Sequence, residues 1–145
     1  MFPTRVNTVV VGAGQAGLSM SAHLRDQHID HVVLERDSIA ERWRNARWDS
    51  LVMNGPAWHD RFPALRFNSD PNGFPSKNEV TRYFEDFAKQ IQAPIHCGVE
   101  VISTTARLDG GYQVETSNGN IHADHVIAAT GPFQIPVPPS IVPDV

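Results

Sequence analysis

The chain has 145 residues, 41% of them hydrophobic and 19% charged, which is the balance of one folded domain long enough to bury a sizeable core. Its formal net charge of -4 argues against nucleic acid or an anionic membrane as the main partner. The single cysteine, Cys97, excludes a disulfide framework or a Cys-x-x-Cys centre within the chain, and the absence of a signal-peptide pattern or a long apolar run makes the cytoplasm the expected location.

The first expected strand is the apolar run Val9-Val10-Val11, and Gly12-Ala13-Gly14-Gln15-Ala16-Gly17 follows it directly. Ala13, Gly17, Met20 and Leu24 then recur at helical spacing, so a helix runs to about Gln27. A second apolar strand, His31 to Leu34, ends in Glu35, 18 residues beyond Gly17. Strand, Gly-rich turn, helix, strand and acid in this order are the layout of a βαβ unit that binds a dinucleotide. Gly12 permits the tight turn, Gly14 lets backbone approach a pyrophosphate, and Gly17 lets helix and sheet pack closely. The pyrophosphate rests on free N–H groups at the helix N-terminus, and Glu35 accepts hydrogen bonds from a ribose diol.

Ser38-Ile39-Ala40-Glu41 has the spacing of a capping box, which predicts a short helix starting there. Residues 44–75 show no sustained period and carry Pro56, Pro63, Pro71 and Pro75. So long an irregular stretch is expected to touch the reactive end of a cofactor, to cover the sheet, or both. A second capping box at Ser76 to Glu79 opens a helix with Val80, Phe84, Phe87 and Ile91 as its core face, closed by Pro94. An antiparallel meander over about 99–123 follows, with turns at Asp109-Gly110-Gly111 and Asn118-Gly119. The buried strand Val126 to Ala129 ends in Thr130-Gly131-Pro132, and the Pro-rich 135–145 reads as a linker. The histidines offer no metal-ligand spacing, so no metal site is expected.

The ordered set of Gly12 to Glu35, Trp43, Asn54-Gly55-Pro56, Phe74-Pro75-Ser76, the Val99/Val101 strand and Ala129-Thr130-Gly131 resembles the FAD-binding part of class B flavin monooxygenases. The nearest group is the bacterial flavin-containing monooxygenase-like flavoproteins often labelled as involved in cation or potassium transport. The resemblance implies an α/β fold: a Rossmann-like FAD/NAD(P)-binding domain over about 1–134, a parallel sheet with the small meander, and an incomplete chain. It implies that Gly12, Gly14, Gln15, Ala16 and Gly17 hold the FAD pyrophosphate, and that Glu35, with Arg36 beside it, holds the adenosine ribose. Arg42 and Trp43 fall where the family has Gly-Gly-x-Trp, here Ala40-Glu41-Arg42-Trp43 without the glycine pair. Val101 matches the strand whose backbone meets adenine, and Ala129, Thr130 and Gly131 match the turn toward a second domain. Asn54 matches an asparagine lying against flavin and NADP, the implied catalytic residue.

In that family NADPH reduces FAD, and the reduced flavin uses O₂ to oxygenate an amine, a sulfide or a carbonyl compound. The NADP-binding motif of the family is not in these 145 residues. The chain is therefore expected to be inactive alone and to need a complementing C-terminal chain or segment. The alternative reading is a non-catalytic dinucleotide-binding module or a truncated gene fragment.

Overall fold

The computed structural model describes residues 2–132 and Val137. Among them the chain forms β1 (Arg5–Val11), α1 (Gln15–Asp26), β2 (His31–Glu35), α2 (Glu41–Arg44), α3 (Lys77–Gln90), β3 (Ile95–Cys97), β4 (Val101–Ala106), β5 (Tyr112–Thr116) and β6 (Gly119–Ala128). All six strands join one sheet in the order β3-β2-β1-β6-β5-β4. The Val-rich run of β1 lies parallel to β2, with Val9 beside Val32 and Val10 beside Val33, and parallel to β6, with Val9 beside Val126. Strands flanked in this way are shielded on both faces and so read as near-continuous apolar runs.

The α/β class and the Rossmann-like arrangement hold, with two refinements. The meander and the strand expected after it are not separate: β6 runs unbroken for ten residues to Ala128, and Val126 to Ala129 are half-buried or exposed rather than buried as expected, because the edge of the cavity lies at this end of the strand. Tyr112 pairs antiparallel with Ala123 while Arg5 pairs parallel with His122, so one strand serves both neighbours at once. The sequence pattern also missed β3, which is only three residues long and lies parallel to β2 at the sheet edge.

Alternate residues of the central strands supply two apolar layers. Val10 and Val33 pack with Ala13 and Leu24 on the α1 side. Val9, Val32 and Leu34 pack with Val99, Val114 and Ile121 on the other. Helix α3 begins with the expected capping box, Ser76 and Glu79 serving each other's backbone, and its Val80, Phe84, Phe87 and Ile91 are all buried.

The expected capping box at Ser38 does not form. The residue before α2 is Ala40, held at φ +58° with no side-chain cap, and the Glu41 N–H is taken by the Ser38 carbonyl rather than its hydroxyl. Backbone closure leaves the Ser38 hydroxyl no part in starting the helix.

The irregular stretch is held by backbone pairs between its two limbs. Met53 N–H donates to the Pro75 carbonyl, Ala57 N–H to Gly73 and Trp58 N–H to Pro71. Its tip is pinned to α3 by Phe62, which is 4% exposed and stacks on Phe87 at 4.0 Å between ring centres. Arg47 of this stretch lines the main cavity described below, and Met53, Phe62, Leu65 and Phe67 pack against α3 rather than over the sheet as expected. The Pro-rich 135–145, apart from Val137, lies outside the described residues.

Candidate functional site

A cavity of about 830 Å³ opens where β1, β2 and β6 end. These are the C-terminal edges of parallel strands, and β2 and β6 lie on opposite sides of β1. Such a point, where successive connections leave in opposite directions, is where open α/β sheets bind ligands.

The Gly-rich loop forms the floor, and its three glycines do different work. Gly12 has φ +107°, and a Cβ there would meet the Ala129 carbonyl oxygen at 2.5 Å. A Cβ on Gly17 would collide with the Gly12 carbonyl. These two positions keep loop, helix and the 129–131 turn in close contact. Gly14 is the opposite case, since a Cβ there would meet nothing within 4 Å and would project into open space.

Gly14 is also the residue before α1, and no side chain caps that end or places an acid in its first turn. The first-turn N–H groups of a helix lack intrahelical partners and carry partial positive charge. An open cradle, a twelve-residue helix aimed at it and no competing carboxylate there fit the pyrophosphate of a dinucleotide.

Glu35 lies 22 residues from Ala13 in sequence, yet its Oε2 accepts the Ala13 N–H at 2.8 Å and its Oε1 accepts the Asp37 N–H at 2.9 Å. Each oxygen retains a lone pair for a ribose hydroxyl. The Glu35 carbonyl accepts the Val99 N–H, which brings Val99 and Val101 to the same wall. Arg36 pairs with Asp37 at 3.2 Å on the rim.

The structure brings together most of the residues singled out from the sequence. Gly12, Gly14, Gln15 and Ala16 line the cavity from below, Glu35, Arg36 and Val101 from one side, and Arg42 and Trp43 from α2. Ala129, Thr130 and Gly131 close the side nearest β6. Gly17 lies one layer beneath, buried against Gly12. Asn54 is exposed and does not line this cavity. Sequence reasoning missed Asp37, Arg47, Val99 and Glu100 as wall residues. The Val99 strand was on view as a signal, but nothing in the pattern marked Arg47.

Cys97 lies opposite Glu35 in the β2–β3 pair. Desolvation, with the Glu35 charge adding to it, pushes its thiol above the ordinary value. That is the opposite of the lowered pKa a reactive thiolate needs. Among the described residues no group of three or more His, Cys, Asp or Glu is placed to hold a metal, and no helix is long and apolar enough to cross a membrane.

Known proteins are similar to this chain in sequence and fold. The family model described as pyridine nucleotide-disulphide oxidoreductase matches residues 9–143. A CzcO-like oxidoreductase of Geobacillus kaustophilus is 43% identical over 92% of this chain, which covers 38% of that protein. A flavin-containing monooxygenase of Stenotrophomonas maltophilia superimposes with a TM-score of 0.78 at 26% identity, over 87% of this chain and 38% of its own. A steroid monooxygenase bound to NADP has the same fold, with a TM-score of 0.79 at 21% identity over 88% of this chain and 26% of its own. The sequence thus spans about two-fifths or less of the length of these proteins, and flavin monooxygenases are among its relatives, as the motif set implied.

Proposed function

The chain belongs to the pyridine nucleotide-disulphide oxidoreductase family, and we propose that it supplies the FAD-binding portion of an NADPH-dependent flavoprotein monooxygenase. The observation that carries this reading is the Gly14 cradle at the α1 N-terminus, with the Glu35 carboxylate beside it in one cavity. The family name also covers disulfide chemistry. Cys97 is the single cysteine of these 145 residues, and burial raises its thiol pKa rather than lowering it, which supports the monooxygenase branch.

In this reading the α1 N-terminus and the loop of Gly12 to Gly17 bind the FAD pyrophosphate. Glu35 holds the adenosine ribose while fixing the loop, and the Val99–Val101 wall holds adenine. Arg42 and Trp43 stand toward the flavin end, with Ala129, Thr130 and Gly131 across from them. FAD when bound supplies the redox chemistry, accepting hydride equivalents from NADPH and activating O₂. The protein's own part is to orient the cofactor and exclude water. Asn54, proposed as catalytic, donates from its amide without titrating. Its position outside the cavity lining means that it acts only where further protein closes over the flavin.

The substrate is proposed to be a small amine, sulfide or carbonyl compound, and the compartment the cytoplasm. The Gly-rich loop and Glu35 build one dinucleotide cavity, and the relatives are more than twice as long. We therefore propose that the 145 residues alone bind FAD but do not turn over NADPH, and that a complementing C-terminal portion completes the enzyme. The test is NADPH consumption by the chain with FAD and candidate amines, sulfides and ketones. The expected rate is that of free FAD. Substrate-dependent consumption well above that control would overturn this part of the proposal.

A further inference from the structure

A second cavity, of about 300 Å³, lies in the irregular stretch away from the dinucleotide site. It is lined by Ala57, Trp58, Arg61, Arg66, Phe67 and Pro71, none of which lines the first cavity. Its volume is at the lower end of small-molecule sites. Two guanidinium groups and two aromatic rings share it, and no carboxylate is among its lining residues.

The cavity is built rather than incidental. Trp58 N–H donates to the Pro71 carbonyl at 3.0 Å, and Ala57 N–H donates to Gly73 at 2.9 Å, which fixes the two limbs. Arg61 Nε donates to the Trp58 carbonyl at 3.0 Å, so one guanidinium is oriented from inside the site. Phe67 stacks on Tyr83 of α3 at 3.8 Å between ring centres. Tyr83 in turn accepts the Phe62 N–H and donates to the Leu65 carbonyl, locking the turn that presents Phe67. The nearby acids are occupied: Asp60 pairs with His59, and Asp70 accepts the Asn72 N–H. Arg66 is exposed, with no ion pair or hydrogen bond among the described residues.

We propose that this cavity binds a small aromatic carboxylate. The flat ring lies against Trp58 and Phe67, and the carboxylate is held by Arg66 and Arg61. Guanidinium is suited to this because its planar fork matches a carboxylate bidentately and also stacks on ring faces. The Phe67 ring held on Tyr83 and the paired backbone limbs reduce the ordering cost of binding, and the exposed Trp58 ring is free to close on the ligand. A bare inorganic anion would leave the aromatic walls uncovered, and a neutral ring would leave the guanidinium charges uncompensated. The site stands independently of the dinucleotide assignment.

The experiment is calorimetric titration of the full 145-residue chain with 2-naphthoate, its neutral isostere 2-naphthamide, acetate and NADP⁺. The expected result is one equivalent of 2-naphthoate bound, with 2-naphthamide and acetate each roughly tenfold or more weaker, the scale of a charge-assisted hydrogen bond. Arg66→Gln is expected to lose roughly tenfold in affinity for 2-naphthoate while keeping its affinity for FAD. No binding of 2-naphthoate, equal binding of the amide, or an Arg66→Gln variant that binds like the parent overturns the proposal. So does NADP⁺ displacing 2-naphthoate at lower concentration, which would make this a nucleotide phosphate site. The comparison of acid and amide on the unaltered chain keeps the test decisive if the variant folds poorly.

Discussion

The Glu35 carboxylate accepts the backbone N–H of Ala13 at 2.8 Å, tying the acid at the end of β2 to the Gly-rich loop at the end of β1. Ala13 is fully buried with the Glu35 carboxylate over its N–H. Glu35→Ala is expected to cost about 1–3 kcal/mol of stability without any ligand, the penalty of an unpaired buried donor. Denaturant unfolding measures it. The same variant is expected to weaken FAD by roughly tenfold or more and FMN, which lacks the adenosine ribose, by less. Equal losses for the two flavins would show that Glu35 acts through the loop alone.

The glycines separate ligand space from fold space. Gly14 has φ -87°, open to any residue, and faces open space, so Gly14→Val is expected to fold normally and lose FAD binding. Gly17→Ala places a methyl against the Gly12 carbonyl and is expected to destabilise the fold itself by about 1–3 kcal/mol, the scale of overpacking. Circular dichroism melts and FAD titration on both variants check the contrast. A Gly14→Val protein with undiminished FAD affinity would reduce the loop to a turn.

Ser76 anchors α3 and, through it, the aromatic cluster. Its hydroxyl and backbone N–H both donate to Glu79 Oε2, at 2.7 and 2.9 Å, and hold the Glu79 carboxyl below its ordinary value. A folded-state pKa below the unfolded one stabilises the fold at pH values above the unfolded value, and this is lost as pH falls through the folded one. Ser76→Ala is expected to cost about 1 kcal/mol near neutrality, typical of a lost cap. The gap between parent and variant should narrow as pH drops below the ordinary glutamate value of 4.5. A gap that stays constant into acid would mean that the hydroxyl does not act through the Glu79 charge.

Tyr83 is the second anchor of the irregular stretch. Its hydroxyl accepts the Phe62 N–H at 2.7 Å and donates to the Leu65 carbonyl at 2.9 Å. Desolvation raises its pKa, so the phenol stays protonated and able to donate. Tyr83→Phe leaves both backbone groups without this partner and is expected to cost about 1–3 kcal/mol. Hydrogen exchange of the Phe62 amide should accelerate more than that of amides in β1. Unchanged exchange at Phe62 would mean that the hydroxyl does not hold this turn.

The βαβ unit was legible because glycine spacing, apolar periods and a terminal acid are local signals, and each glycine has a separate steric reason. The α3 capping box was legible for the same reason. The turn before α2 was not. Ala40 occupies a left-handed conformation that glycine adopts most readily, so the residue that normally marks such a turn is missing. Strand β3 was hidden because three residues carry no period, and its pairing with β2 is a tertiary event. Arg47 reaches the cavity from a segment with no regular structure, so no spacing rule could place it. Asn54 is named by the resemblance alone, and it is exposed and outside the lining of this cavity.

The cavity at the ends of β1, β2 and β6 is proposed as the FAD site. Titration of the purified chain with FAD and with FMN, followed by quenching of flavin fluorescence, tests it most directly. One FAD per chain is expected, bound roughly tenfold or more tighter than FMN, because the pyrophosphate and adenosine ribose supply the contacts to Gly14 and Glu35. FAD that fails to bind, or that binds no tighter than FMN, would contradict it.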